Sequence, residues 1–236
     1  MNKRSQSGQK PPGGPSGERG ALRREAYEKI EDLLNSGSLS PGDVISQREL
    51  VKRTGATLGS VREAVPRFEA EGLLVALPQR GLMVPGLDVT FVRDAYQMRQ
   101  IIEVAAVPYM IANIEKDAIS EWIGWHETAS RELDNEETVD RDELLHRLQR
   151  YDWAMHSQFV EAMGNKLIAN AYRVTAIKTR MAVQNLIKVT PQNAKRIIRE
   201  HLAILRPLLA DDAEGTTEAL TRHIRNSLRI ALGGSD

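Results

Sequence analysis

Three of the chain's five histidines share with one aspartate a spacing that suits a divalent metal ion. Asp152 and His156 are four residues apart, so on a helix they occupy one face, about 6 Å apart along the axis. His201 and His223 fall on successive helical segments joined by a turn at 211–215, each about ten residues, or ~15–17 Å of helical rise, from its midpoint. An antiparallel hairpin therefore brings them to one height, where they can converge. Three neutral imidazoles and a carboxylate form a strong site for a first-row divalent ion, zinc first, with nickel, manganese and iron open. His126 and His146 fit no such geometry and are read as surface or packing residues.

The elements that must position these groups follow from hydrophobic periodicity. Beyond Asp88 the pattern is helical throughout: about 89–116 with Pro108 inside it, 118–134, 141–163 ending at Gly164-Asn165, 166–188, a helix opened by Thr190-Pro191, and 216–232. An acidic loop covers Asp134–Asp140. Such helices predict an antiparallel bundle, whose interior is a natural ligand pocket.

Residues 47–85 read differently. Leu50 and Val51 lie on a short helix that Gly55 ends, and Thr57 is placed to cap a second helix. There Val61, Ala64, Val65 and Phe68 recur at helical spacing, leaving Ser60, Arg62 and Arg67 outward. Leu73–Leu77 and Leu82–Pro85, joined by Pro78-Gln79-Arg80-Gly81, read as a hairpin. With a preceding helix whose apolar stripe runs from Ala21 to Leu34, this is a winged helix-turn-helix, a fold that sets its second helix in the major groove. Pro66 interrupts that helix and removes the donor to the carbonyl of Arg62. The fold class is thus mainly α: residues 1–20 a disordered arm, 21–87 a winged helix-turn-helix, and 88–233 an all-helical metal- and effector-binding domain.

Composition narrows the function. Lys plus Arg equal Asp plus Glu at 32 each, and residues 1–88 carry 13 basic against 11 acidic side chains, so DNA binding must come from local placement of arginines. The absence of cysteine excludes thiolate metal sites and fits a cytoplasmic location. No apolar run approaches the about 20 residues that span a bilayer, and residues 1–20 lack an apolar signal core.

Taken together, SGSLSPGD (36–43), VREAV (61–65), EAEGLL (69–74), QRG (79–81), DWAMHSQF, MGNKL, REHLAIL and TRHI resemble the GntR family of bacterial transcription regulators, in its FadR-like subfamily with a C-terminal FCD domain. The resemblance covers about residues 21–232. It implies DNA contacts at Arg48, Ser60, Arg62, Arg80 and Gly81, with Arg62 able to grip guanine or phosphate bidentately. An ion pair of Arg62 with Glu69 or Glu71 is the competing reading. Leu58-Gly59 stands where the family commonly has arginine and threonine. The resemblance also supports a metal on Asp152, His156, His201 and His223, and places an effector-binding arginine at Arg99, against a pair with Glu103 one turn on. It implies a homodimer reading a palindromic operator in double-stranded DNA, most commonly a repressor released by a small anionic metabolite. A metal-dependent hydrolase or lyase is the alternative, but no HExxH-type motif sets a general base beside the ligands. The chain is therefore read as non-enzymatic. A third reading makes the ion purely structural.

Overall fold

Residues 15–86, 88–135, 140–183 and 189–234 are described by a computed structural model, which divides into the units Met1–Pro85 and Gly86–Asp236. Most of the expected arm, part of the acidic loop and residues 184–188 of the expected fourth bundle helix lie outside the described residues.

In the first unit α1 (Pro15–Asn35) begins within the stretch expected to be a disordered arm. Pro15 suits a first helical turn, where its missing N–H costs nothing. Ala26, Ile30 and Leu34 are buried, whereas Ala21 and Leu22 stay exposed. A two-residue strand β1 (Val44–Ile45), not expected from the sequence, precedes α2 (Gln47–Thr54). Gly55 caps α2 at φ 66°, its N–H donating to the carbonyl of Val51. Thr57 then caps α3 (Leu58–Ala70), which runs on through Pro66 and buries Val61, Ala64, Val65 and Phe68. Strands β2 (Val75–Leu77) and β3 (Gly81–Met83) form the wing, and β1 pairs antiparallel with β3 to give the order β1-β3-β2. Tyr27 fixes α1 against α3: its ring stacks on Phe68 with centroids 4.3 Å apart, and its hydroxyl donates to Glu71 at 2.6 Å.

Gly81 is required by this small sheet. Its φ is +104°, and a Cβ there would lie 2.7 Å from the carbonyl oxygen of Ile45. The clash is with backbone, so no rotamer can relieve it.

The second unit consists of α4 (Val89–Asn113), α5 (Lys116–Asp134), α6 (Arg141–Glu161), α7 (Lys166–Val183), α8 (Pro191–Leu209) and α9 (Ala213–Ala231). Polar caps set their starts: Asp88 accepts from Phe91 N–H, Asp140 from Glu143 N–H, and Thr190 and Asn193 form a reciprocal capping box. α4 continues through Pro108, which is exposed. Val107, Met110, Ile119, Phe159, Leu205 and Ile224 belong to a common core drawn from five of these helices. The α8–α9 turn is held from α5, where the Lys116 ammonium donates to the carbonyls of Leu208 and Leu209 and pairs with Asp211. A cation on the last carbonyls of α8 offsets the negative end of that helix. The turn in question sets the relative height of His201 and His223.

Gly81→Ala is expected to destabilise the first unit by about 1–3 kcal/mol, the cost of a side chain in a left-handed conformation, added to the clash with Ile45. Thermal unfolding of the full chain will show this as a lowered midpoint for the transition of that unit.

Candidate metal centre and DNA-contact surface

α6 presents Asp152 and His156 one turn apart, α8 presents His201, and α9 presents His223. One ligand atom from each of the four lies within 4.8 Å of the others. Bonds of about 2.1 Å to a single ion impose ligand separations of about 3–4 Å, so a modest contraction completes the set. The imidazoles of His201 and His223 have centroids 5.0 Å apart, and those of His156 and His223 are stacked at 5.2 Å.

The rear nitrogens are occupied. His156 Nδ1 lies 2.6 Å from Glu103 Oε2, and His223 Nδ1 lies 2.9 Å from Glu200 Oε2. Carboxylates only accept, so both Nδ1 atoms carry a proton, and in the neutral rings both Nε2 atoms then face forward with a lone pair. His201 Nδ1 meets another imidazole, His126 Nε2, at 2.9 Å. In front, His201 Nε2 is 3.0 Å and His156 Nε2 3.6 Å from Asp152 Oδ1, yet neither nitrogen makes an aligned hydrogen bond. Buried nitrogens left open at one locus beside a carboxylate suit a divalent cation, and these residues fit one.

The electrostatics agree. Burial would raise the Glu103 carboxyl, but Arg99 and His156 outweigh it and hold it at about 2. Glu200 is likewise held at about 2, against burial, by His223, Asn226 and Arg196. Asp152 is held well below the usual carboxylate range, burial being overcome by His201, His156 and Arg99. Burial lowers His201, and lowers His223 to about 4.

A cavity of about 60 Å³ adjoins the ligands, with Tyr96, Arg99, Thr179, Arg180, Arg196 and Ser227 in its wall. At about 10–15 Å³ for each water-sized group, it holds only a few such groups. Arg99 is buried, with Nε donating to Glu103 Oε1 at 2.5 Å. The ion pair that competed with its effector role is thus formed, while the residue still faces the cavity. Tyr172 donates to the same Glu103 oxygen at 2.8 Å.

Of the two places expected for His126, surface or packing, the structure takes the second and adds hydrogen bonds: it is fully buried, its Nδ1 2.7 Å from the Trp122 carbonyl and its Nε2 on His201. A signal was available, because Ile119, Trp122, His126, Ala129 and Leu133 form one helical stripe, which sets this histidine on the buried face. Glu103 and Glu200 were also missed as supports, since their partners are distant in sequence. His146 is exposed, as expected.

Ser60 was expected to point outward and does not. It is 7% exposed, with Oγ donating to the Thr57 carbonyl at 2.9 Å and lying 3.0 Å from the Thr57 hydroxyl. The capping threonine draws it in. Arg48, Arg62 and Arg80 are exposed. Among the described residues Arg62 makes no ion pair, Glu71 being engaged by Arg67 and Tyr27.

A winged helix-turn-helix followed by a helical domain with a cavity walled in part by arginines is the build of a ligand-responsive DNA-binding regulator. The sequence matches the bacterial regulatory proteins of the gntR family over residues 22–84 and the FCD domain over residues 94–226. The chain belongs to this family and is a transcriptional regulator with an FCD effector-binding domain. It is 23% identical over 209 residues to the HTH-type transcriptional repressor RspR of Escherichia coli, covering 86% of each chain. It is 22% identical over 210 residues to the uncharacterised HTH-type regulator BphR of Paraburkholderia xenovorans, covering 89% of this chain and 85% of that one. Its fold is similar to that of E. coli McbR/YncC, with a TM-score of 0.76 at 16% identity over 90% of this chain and 97% of that chain. A GntR regulator from Rhodococcus gives a TM-score of 0.70 at 15% identity, over 92% of this chain and all of that one.

The lowered histidines give a pH dependence with a definite sign. As pH falls below about 6.5 the unfolded chain takes up protons on His201 and His223 that the folded chain refuses, His223 down to about 4, so the metal-free protein loses stability as pH falls. Each pH unit by which a histidine is lowered is worth about 1.4 kcal/mol. Melting of the chelator-treated protein against pH measures it, and a flat profile from pH 7 to 4 contradicts the burial of these imidazoles.

Proposed function

We propose that the protein is a metabolite-responsive repressor whose effector, a small carboxylate, binds at a metal ion in the helical bundle. Asp152, His156, His201 and His223 would hold the ion, zinc being the first candidate, and the ion would supply an open position for the carboxylate. The observation that carries this reading is the convergence of unpartnered imidazole nitrogens on Asp152 at the head of a cavity walled by Arg99, Arg180 and Arg196. The small cavity favours a short organic acid. Arg99 serves as effector-binding residue through the part of its guanidinium not given to Glu103. Binding then biases the protein between DNA-competent and DNA-incompetent states through its different affinity for the two.

The hydrolase or lyase reading gains no support. Glu103 and Glu200, the carboxylates hydrogen-bonded to His156 and His223, are engaged behind those rings rather than available to take a proton from bound water. The relatives named above are regulators, and we read this chain as non-enzymatic and cytoplasmic.

On the DNA side, Arg48, Arg62, Arg80 and the Gly81 backbone make the contacts, Arg62 reading a base or gripping a phosphate. Ser60 acts only through its place in the cap of α3. Two copies, each with one α3 in a half-site, would read a palindrome. Support for a homodimer comes from α4, where Met98, Ile101 and Tyr109 are 40, 59 and 46% exposed along one side of the helix.

Mobility shift on the chain's own upstream DNA tests the reading. Arg62→Ala should weaken specific binding about 5- to 150-fold, the value of one good base contact. Chelation should abolish release by short organic acids while leaving DNA binding in place. A metal-free protein that still responds to the effector contradicts the metal-based mechanism, and unchanged binding by Arg62→Ala contradicts the contact assignment.

Ile101→Arg should shift the chain from dimer to monomer in light scattering without lowering its helix content. A dimer that persists unchanged places the interface elsewhere.

A further inference from the structure

His126 makes the only hydrogen bond recorded among the described residues at the rear nitrogen of His201, and it comes from α5, a helix that supplies no ligand. We propose that His126 is a positioning residue that fixes His201 in the metal-accepting tautomer and so sets the affinity of the site; this rests on the metal reading above. The Trp122 carbonyl, 2.7 Å from His126 Nδ1, can only accept. His126 Nδ1 therefore carries a proton. In the neutral ring Nε2 is then an acceptor, and His201 Nδ1, 2.9 Å away, must be the donor. The proton of His201 is thereby held at the rear, and its Nε2 presents a lone pair beside Asp152.

With a cation between His201 Nε2 and the Asp152 carboxylate, 3.0 Å apart, to relieve the facing of two acceptors there, the other arrangements are worse. A neutral His126 protonated on Nε2 would set its Nδ1 lone pair against the Trp122 carbonyl, two buried acceptors face to face. A charged His126 would donate to His201 Nδ1, driving the His201 proton to Nε2, where it would occupy the locus of the ion. The ring cannot turn away. Trp125 packs edge-on against it at 5.1 Å and Tyr151 at 5.7 Å, and those two aromatics stack on each other at 3.9 Å.

The ligand set is therefore unequal. His156 and His223 are backed by carboxylates, which draw the Nδ1 proton and strengthen the forward nitrogen, whereas His201 is backed by a neutral imidazole. His201 is the weakest of the three donors and depends most on its partner.

The test uses the full chain with His126→Phe, which keeps a ring and removes the acceptor, and His126→Gln, whose amide keeps a donor for Trp122 and an acceptor for His201. Zinc affinity is read by competition with a chromophoric chelator, ligand field by cobalt absorption, and fold by melting of the metal-free forms. His126→Phe should lose about 10- to 100-fold in zinc affinity and alter the cobalt bands. His126→Gln should stay within a few-fold of the parent with the parent's cobalt spectrum. Zinc binding by His126→Phe equal to the parent overturns the proposal. So does an equal loss in both variants that follows their metal-free melting, which would reduce His126 to packing. A parent chain that takes up no zinc overturns the metal centre itself, and is told apart from the other outcomes by the parent alone.

Discussion

An imidazole can offer a lone pair to an ion inside an apolar bundle only when the proton on its other nitrogen already has an acceptor. That requirement governs the second unit. Glu103 on α4, Glu200 on α8 and His126 on α5 each stand behind one ligand. Each support is in turn fixed: Glu103 by Arg99 and Tyr172, Glu200 by Arg196 and Asn226, His126 by the Trp122 carbonyl. Burying such groups without partners would cost about 1–3 kcal/mol apiece, more for the charged ones. Behind each of the three imidazoles the rear nitrogen has its partner, and the open nitrogens of His156 and His201 lie at the front. An unpaired buried nitrogen is normally a fault in packing; here two of them share a target.

What could be read from the sequence is what helix geometry fixes. The four-residue step from Asp152 to His156, and the near-equal distances of His201 and His223 from their turn, place ligands without knowledge of packing, because rise per residue is constant. Caps at Thr57 and Thr190 and the stop at Gly55 were legible for the same local reason. The supports were not, since His126 lies 75 residues from His201 and Glu103 lies 53 from His156. Such pairings depend on how helices rotate against one another, which periodicity leaves open by a residue or so. Ser60 shows a different limit: a polar residue one turn into a helix can serve the solvent or its own cap, and the choice lay in the hydroxyl of Thr57.

The winged helix carries a related lesson about residues shared with a family of DNA readers. Gly81 stands at the wing because the Ile45 carbonyl leaves no room for a Cβ, and Ser60 completes a cap. Both are explained by the fold before any nucleic acid is considered. Arg62 and Arg80, exposed and without such duties, are different. Specificity has to be sought in side chains that the architecture does not already employ.

Around the cavity the formal charges cancel: Arg99, Arg180 and Arg196 against Glu103, Glu200 and Asp152. With neutral imidazoles the formal charges around this cavity therefore sum to zero. A divalent ion would tip that balance by two positive charges at a single stroke. Under the proposed mechanism, attraction for an acidic metabolite would then be conditional, conferred by the cation and withdrawn with it, and a cell short of the metal would hold a regulator deaf to its own signal.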